Sequence, residues 1–169
     1  MAAGVTYETI ANTTLTTATS SITFTNISGS YTDLILVLNT AIASGYNGES
    51  VIRFNSDTGS NYSNTYLYGN GTSVLSARNT NATVGRISYS ASNSTTLGNI
   101  SYVVQILNYS NSTTYKTFLS RANNASNATD AIGGLWRSTS AITSINFFYS
   151  DGGNIIAGST ASLYGITAA

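Results

Sequence analysis

A single all-β domain, a sandwich or barrel of roughly nine or ten antiparallel strands, is the fold class that three features of the sequence predict. No window sustains a helical period, whereas Thr, Ile, Val, Tyr and Phe dominate the apolar runs. Gly, Ser, Thr and Asn punctuate every run; with 0 prolines in 169 residues, Gly and Asn must form the turns. The runs recur at even spacing, with no shift in composition to mark a second domain. The whole chain 1–169 therefore reads as one domain. A chain of that length buries about 70% of the surface its unfolded form exposes, so no disulfide or metal is needed to hold it.

The elements follow in order. Val5 to Ile10 opens the chain as a strand. The polar stretch Ala11 to Ser20 reads as part of an extended N-terminal arm, within residues 1–20, able to lie across a neighbouring molecule. Ser21 to Ile27 alternates around Ile22 and Phe24. Asp33 to Asn39 holds Leu34 to Leu38 without a polar break, the pattern of a strand buried on both faces. Ser50 to Phe54 and Asn64 to Tyr68 flank the polar loop Asn55 to Asn61. Gly69 to Thr83 is the longest polar stretch and the best candidate for an exposed functional loop. Val84 to Tyr89 alternates around Arg86. Ile100 to Asn108 and Tyr115 to Arg121 are spaced as a hairpin. Ile132 to Arg137, Ala141 to Tyr149 and Ser159 to Ile166 close the series.

Composition restricts function. Charged residues make up 7% of the chain against about 25% in typical domains. The net charge is zero, so no long-range field steers the chain towards phosphate or anionic lipid. Nucleic acid and membrane are thus not expected partners. No apolar run is long enough to cross a bilayer as a helix, and Met1 to Gly4 lacks the pattern of a signal peptide. The expected place of synthesis is the cytoplasm. A neutral surface also suits a protein that works inside an assembly, where self-repulsion is a disadvantage. The Asn-x-Ser/Thr triplets at Asn12, Asn61, Asn81 and Asn108 are those expected by chance in a chain rich in these residues.

Catalysis finds little to work with. There is no His and no Cys, which removes the common triads, thiol sites and zinc ligand sets. The carboxylates are Glu8, Asp33, Glu49, Asp57, Asp130 and Asp151, and nothing in the sequence pairs them as a glycosidase requires. Asp57 to Asn61 and Asp151 to Asn154 offer oxygen ligands for calcium, but each has one local carboxylate and reads first as a plain turn. No catalytic, metal or cofactor residue is assigned; the expectation is a protein without enzymatic activity.

Contact residues are the remaining candidates. Of six cations, five are Arg, the side chain that forms planar paired hydrogen bonds and is favoured at interfaces. Twelve tyrosines accompany a single Trp. A tyrosine can bury its ring and keep its hydroxyl wet, so it suits either a half-exposed sheet or a contact surface. Tyr62, Tyr66, Tyr68, Arg78 and Arg86 are named as interface candidates. Trp136 is read as a core anchor.

Several short segments resemble a loose family of small bacteriophage virion proteins. They are Ile52 to Tyr62, Leu67 to Gly71, Tyr115 to Thr117, Ser120 to Asn123, Gly134 to Ser138, Gly158 to Thr160 and Leu163 to Ile166. Together they span roughly residues 20 to 166. The resemblance implies a jelly-roll-like sandwich and a structural role, as a head-decoration (cement) protein or a tail-fibre-like module. It carries over no catalytic residue. A tail fibre needs an attachment region and a shaft of repeats, whereas here the β pattern fills the chain. A decoration protein fits better, with the major capsid protein or another virion protein as partner, a homotrimeric state and a place on the head surface. The alternative is a receptor-binding module presenting Gly69 to Thr83 to a host protein or glycan.

Overall fold

The computed structural model describes residues 6–89, 99–124 and 127–167. Twelve strands are present: β1 (Tyr7–Thr14), β2 (Ser21–Phe24), β3 (Asp33–Thr40), β4 (Ser50–Phe54), β5 (Tyr62–Gly69), β6 (Val74–Ala82), β7 (Gly85–Arg86), β8 (Ile100–Leu107), β9 (Lys116–Asn124), β10 (Ala128–Trp136), β11 (Ile145–Tyr149) and β12 (Thr160–Ile166). They form an eight-stranded sheet, β1-β12-β3-β8-β9-β10-β5-β6, and a four-stranded sheet, β2-β11-β4-β7. All pairings are antiparallel. The chain crosses repeatedly from one sheet to the other, giving a jelly-roll-like β-sandwich.

Alternation decides which side chains face inward. On the large sheet, Leu34, Leu36 and Leu38 of β3, Tyr102, Val104 and Ile106 of β8, Phe118 of β9 and Trp136 of β10 point at the small sheet. Ile22 and Phe24 of β2, Ile52 and Phe54 of β4, and Phe147 and Tyr149 of β11 meet them. Burying a large apolar side chain stabilises the fold by roughly 1.5–3 kcal/mol, so this interlayer accounts for most of what holds the sandwich together. The hydroxyls inside it are paired. Ser50 and Tyr102 lie 2.6 Å apart and Thr40 and Tyr149 3.0 Å apart, which removes the cost of burying them alone.

β10 starts at Ala128, four residues before the expected Ile132, and β11 at Ile145, four after the expected Ala141; the larger departures from the expected strands are at four places. Residues 11–14, expected in a free arm, belong to β1 and pair with β12 of the same chain. Leu15 N–H donates to the Ser159 carbonyl, and Thr19 and Ile155 exchange backbone hydrogen bonds, so the segment that follows is also tied down. Residues 1–5, including Val5 of the first expected strand, lie outside the described residues. The expected loop Gly69 to Thr83 is largely strand β6, hydrogen-bonded to β5. It is an edge strand exposed along both faces, so it lacks the alternation that betrays a half-buried strand. Conversely, Val84 to Tyr89 shrinks to the two residues of β7. Ile87 and Ser88 N–H both converge on the Ser50 carbonyl instead of forming a ladder. Finally, β3 is not buried on both faces throughout: Val37 is turned outward and partly exposed, while Ile35 on the same side is covered.

Candidate functional site

The five interface candidates separate into three places. Tyr62 belongs to the core: it is fully buried, stacks on Trp136 at 6.4 Å, and its hydroxyl accepts the Phe54 N–H at 2.9 Å. Burial pushes that phenol up to about 12. A side chain so enclosed makes no contact with a partner.

Tyr66, Tyr68 and Arg86 come together at one end of the sandwich, around a residue that sequence reasoning did not single out. Tyr89 stacks on Tyr66 with ring centroids 4.7 Å apart and lies tilted against Tyr68 at 5.0 Å. The Arg86 guanidinium sits 5.0 Å from both the Tyr66 and Tyr89 ring centres. Its Nε and NH2 donate to one Glu49 oxygen at 2.9 and 2.5 Å. Beneath, Asp130 accepts from Ser88 Oγ at 2.6 Å and from Tyr89 N–H at 2.7 Å. Tyr66 is buried, while Tyr68 and Tyr89 keep part of their rings outward. Arg86 is thus committed to Glu49 and the rings, which makes the cluster a rigid aromatic end-piece.

Arg78 lies elsewhere, on the outward face of the large sheet. Register places it in one row with Thr65, Gly133, Leu119, Gln105 and Ile35, crossing β6, β5, β10, β9, β8 and β3. The next row reads Ser76, Leu67, Ala131, Arg121, Val103 and Val37. On the other side, Ser63, Leu135, Thr117 and Leu107 form a third. No described element covers these rows over β5, β9 and β10, and Leu119 is 52% and Leu67 50% exposed. A shallow trough of ≈ 470 Å³ runs here, lined by Thr65, Arg78, Leu107, Leu119, Gly133 and Leu135 among others. Arg137 reaches the same face, donating to Ser63 Oγ at 2.6 Å. The signal for this surface was present in the sequence: the outward set of β9, Thr117, Leu119 and Arg121, alternates with an inward set just as clearly.

The carboxylates are occupied by donors. Asp57 accepts Trp136 Nε1–H at 2.6 Å, Asn61 Nδ2 at 2.9 Å and Gly59 N–H at 2.8 Å. Burial acts to raise its pKa, but these three hydrogen bonds outweigh it and hold the carboxyl below its ordinary value. Asp151 accepts from Asn47 N–H at 2.7 Å and Gly153 N–H at 3.0 Å, and Asp33 from Asn108 N–H at 2.6 Å. In both loops the carboxylate accepts from backbone N–H groups of its own turn, at Gly59 and at Gly153. Among the described residues no group of three acids could hold a metal ion.

No family model matches this chain, and no curated protein matches it. Among solved structures, the galectin LEC-6 of Caenorhabditis elegans is similar over 93% of this chain and 96% of its own, with 9% identity and a TM-score of 0.38.

Proposed function

We propose that this chain is a non-enzymatic structural protein of a bacteriophage particle, a capsid decoration protein that docks on the shell through the outward face of its large sheet. The observation that carries the docking half of this reading is the uncovered apolar surface over β5, β8, β9 and β10, where Leu119 has Leu107 and Leu135 as diagonal neighbours and Leu67 lies farther along the same face. Large apolar side chains in a contiguous patch favour a partner surface. The neutral, hydroxyl-rich exterior offers little repulsion to close packing, and the donor-filled carboxylates leave no paired acids for hydrolysis. The bacteriophage half rests on the sequence resemblance. A homotrimer on the head surface, bound to the major capsid protein, is the assembly this reading expects.

Labelling purified virions with antibody raised against the chain tests it. Label on the heads, and heads that rupture at lower temperature when the gene is deleted, are the expected results. Absence of the chain from purified particles would remove the proposal. A receptor-binding role is the second reading, favoured by the part-exposed Tyr68 and Tyr89 rings at the sandwich end. Binding of the purified chain to a glycan array or to host cells, abolished by Tyr68→Ala, would put it first.

A further inference from the structure

Gly133 has no reason within the fold. It lies mid-strand in β10 between Thr65 and Leu119, and a Cβ added there would meet nothing within 4 Å. Its neighbour Gly134 is different: a Cβ there would fall 1.9 Å from Phe118 Cζ, so the core requires a glycine at that place. Glycine inside a strand weakens it, and where no internal packing calls for one, the open space suits close approach by another molecule. The missing side chain leaves a socket in the outward face, walled by Leu119, Leu135 and Thr65.

Charge on this face is one-sided. Arg78 is in the same cross-strand row as Gly133, two strands or about 10 Å away. Arg121 is on the adjacent strand and one outward position along, roughly 7–8 Å away. Both are exposed, and among the described residues neither side chain makes a hydrogen bond or ion pair. Around the socket, β5, β6, β8 and β9 contain no acid, and the one acid of β10, Asp130, points inward; Asp33 stands at the far start of β3, where it accepts the Asn108 N–H. No aromatic ring points outward from β5, β9 or β10 among the described residues, the exposed Tyr115 lying just before β9, whereas Leu and Arg together, as they stand around the socket, are what protein interfaces favour.

Resting on the docking reading above, we propose that this socket receives an apolar side chain from an extended, acidic segment of the partner protein, whose carboxylates pair with Arg78 and Arg121. Gly133→Val fills the socket and should keep the fold, with a melting temperature equal to or above the parent's, because the Cβ has room and Val suits a strand. Arg78→Glu with Arg121→Glu inverts the charge on an exposed face.

Two probes are used: shells purified without this chain, and a fluorescein-labelled peptide alternating Glu and Leu, beside a Lys–Leu counterpart and polygalacturonate. The parent should bind the shells and the Glu–Leu peptide, with amide resonances of Thr65, Leu119 and Gly133 shifting. Both variants should lose tenfold or more in affinity for each. Unchanged shell binding by the two folded variants would overturn the socket and leave the docking reading standing. Preference for polygalacturonate over the Glu–Leu peptide would also overturn it, in favour of an acidic glycan. If the parent ignores the shells, the docking reading falls and the peptide titration decides the socket alone.

Discussion

Asn55 ties two loops together with one amide. Its Oδ1 accepts from Thr143 N–H at 2.8 Å and Ser144 N–H at 3.1 Å, and its Nδ2 donates to the Ala141 carbonyl at 2.8 Å. Its backbone is left-handed, with φ of 51°. Asn55→Ala removes the hydrogen bonds and strains the backbone, and should cost about 2–4 kcal/mol in chemical denaturation. Asn55→Gly loses the same bonds without the strain and should cost about 1 kcal/mol less than the alanine variant. Asp57 gives a test with pH. Its carboxyl pKa is depressed in the folded state, so its stabilisation is fully present above the unfolded value of about 3.9 and fades as pH falls through the folded value. Asp57→Asn should therefore melt below the parent at neutral pH, and the two should converge in strong acid. The carboxylate is only half-buried, which keeps the neutral-pH gap near the lower end of about 1–3 kcal/mol. These roles were only partly legible. The turn chemistry of Asn55 to Asn61 is written in the residue types, but not that Trp136 and residues 141–144 would be their partners, since those contacts join segments far apart in the chain.

Elements were legible in proportion to how one-sided their burial is. β4 falls on the expected residues, Ser50–Phe54, and β9 and β10 alternate without a fault over nine residues each. β6 was hidden because neither face is buried, whereas the strand expected over Val84 to Tyr89 is cut down to β7, whose Gly85 passes under the Phe118 ring, where an added Cβ would lie 2.9 Å from Cζ. The same ring explains Gly134. Gly134→Ala should destabilise the fold by about 1–3 kcal/mol through overpacking, and Phe118→Leu should recover part of that in the double variant. β6 carries a second consequence. It is an unpaired edge of nine residues, with Val74 71% and Leu75 49% exposed, and its one charge, Arg78, stands at the centre. A charge on an edge strand discourages further pairing. Arg78→Val should raise self-association, read as a concentration-dependent increase in mass by light scattering.

At the scale of the molecule, burial and not charge holds the sandwich together. Six cations and six acids yield one ion pair among the described residues, Arg86 with Glu49. Raising NaCl from about 0.05 to about 0.5 M screens surface charge almost completely, so the melting temperature should move by no more than about 2 °C. The all-β class was readable from composition and punctuation alone, because strand residues and turn residues are well separated along the chain. The pairing order was not, since strands distant in sequence become neighbours, β1 with β12 above all. The outward trough was missed for a related reason: its rows exist only once six strands are laid side by side. That first pairing also fixes how the molecule can be tethered. Tyr7 lies opposite Ile166, so the way in and the way out of the sandwich share one corner, at the sheet margin farthest from β6. Cargo joined ahead of Tyr7 or after Ile166 would hang from that corner and leave the leucine-lined face free. A permuted chain, with Tyr7 and Ile166 bridged by a short linker and new ends cut at Asn70–Gly71, would keep every ladder in place.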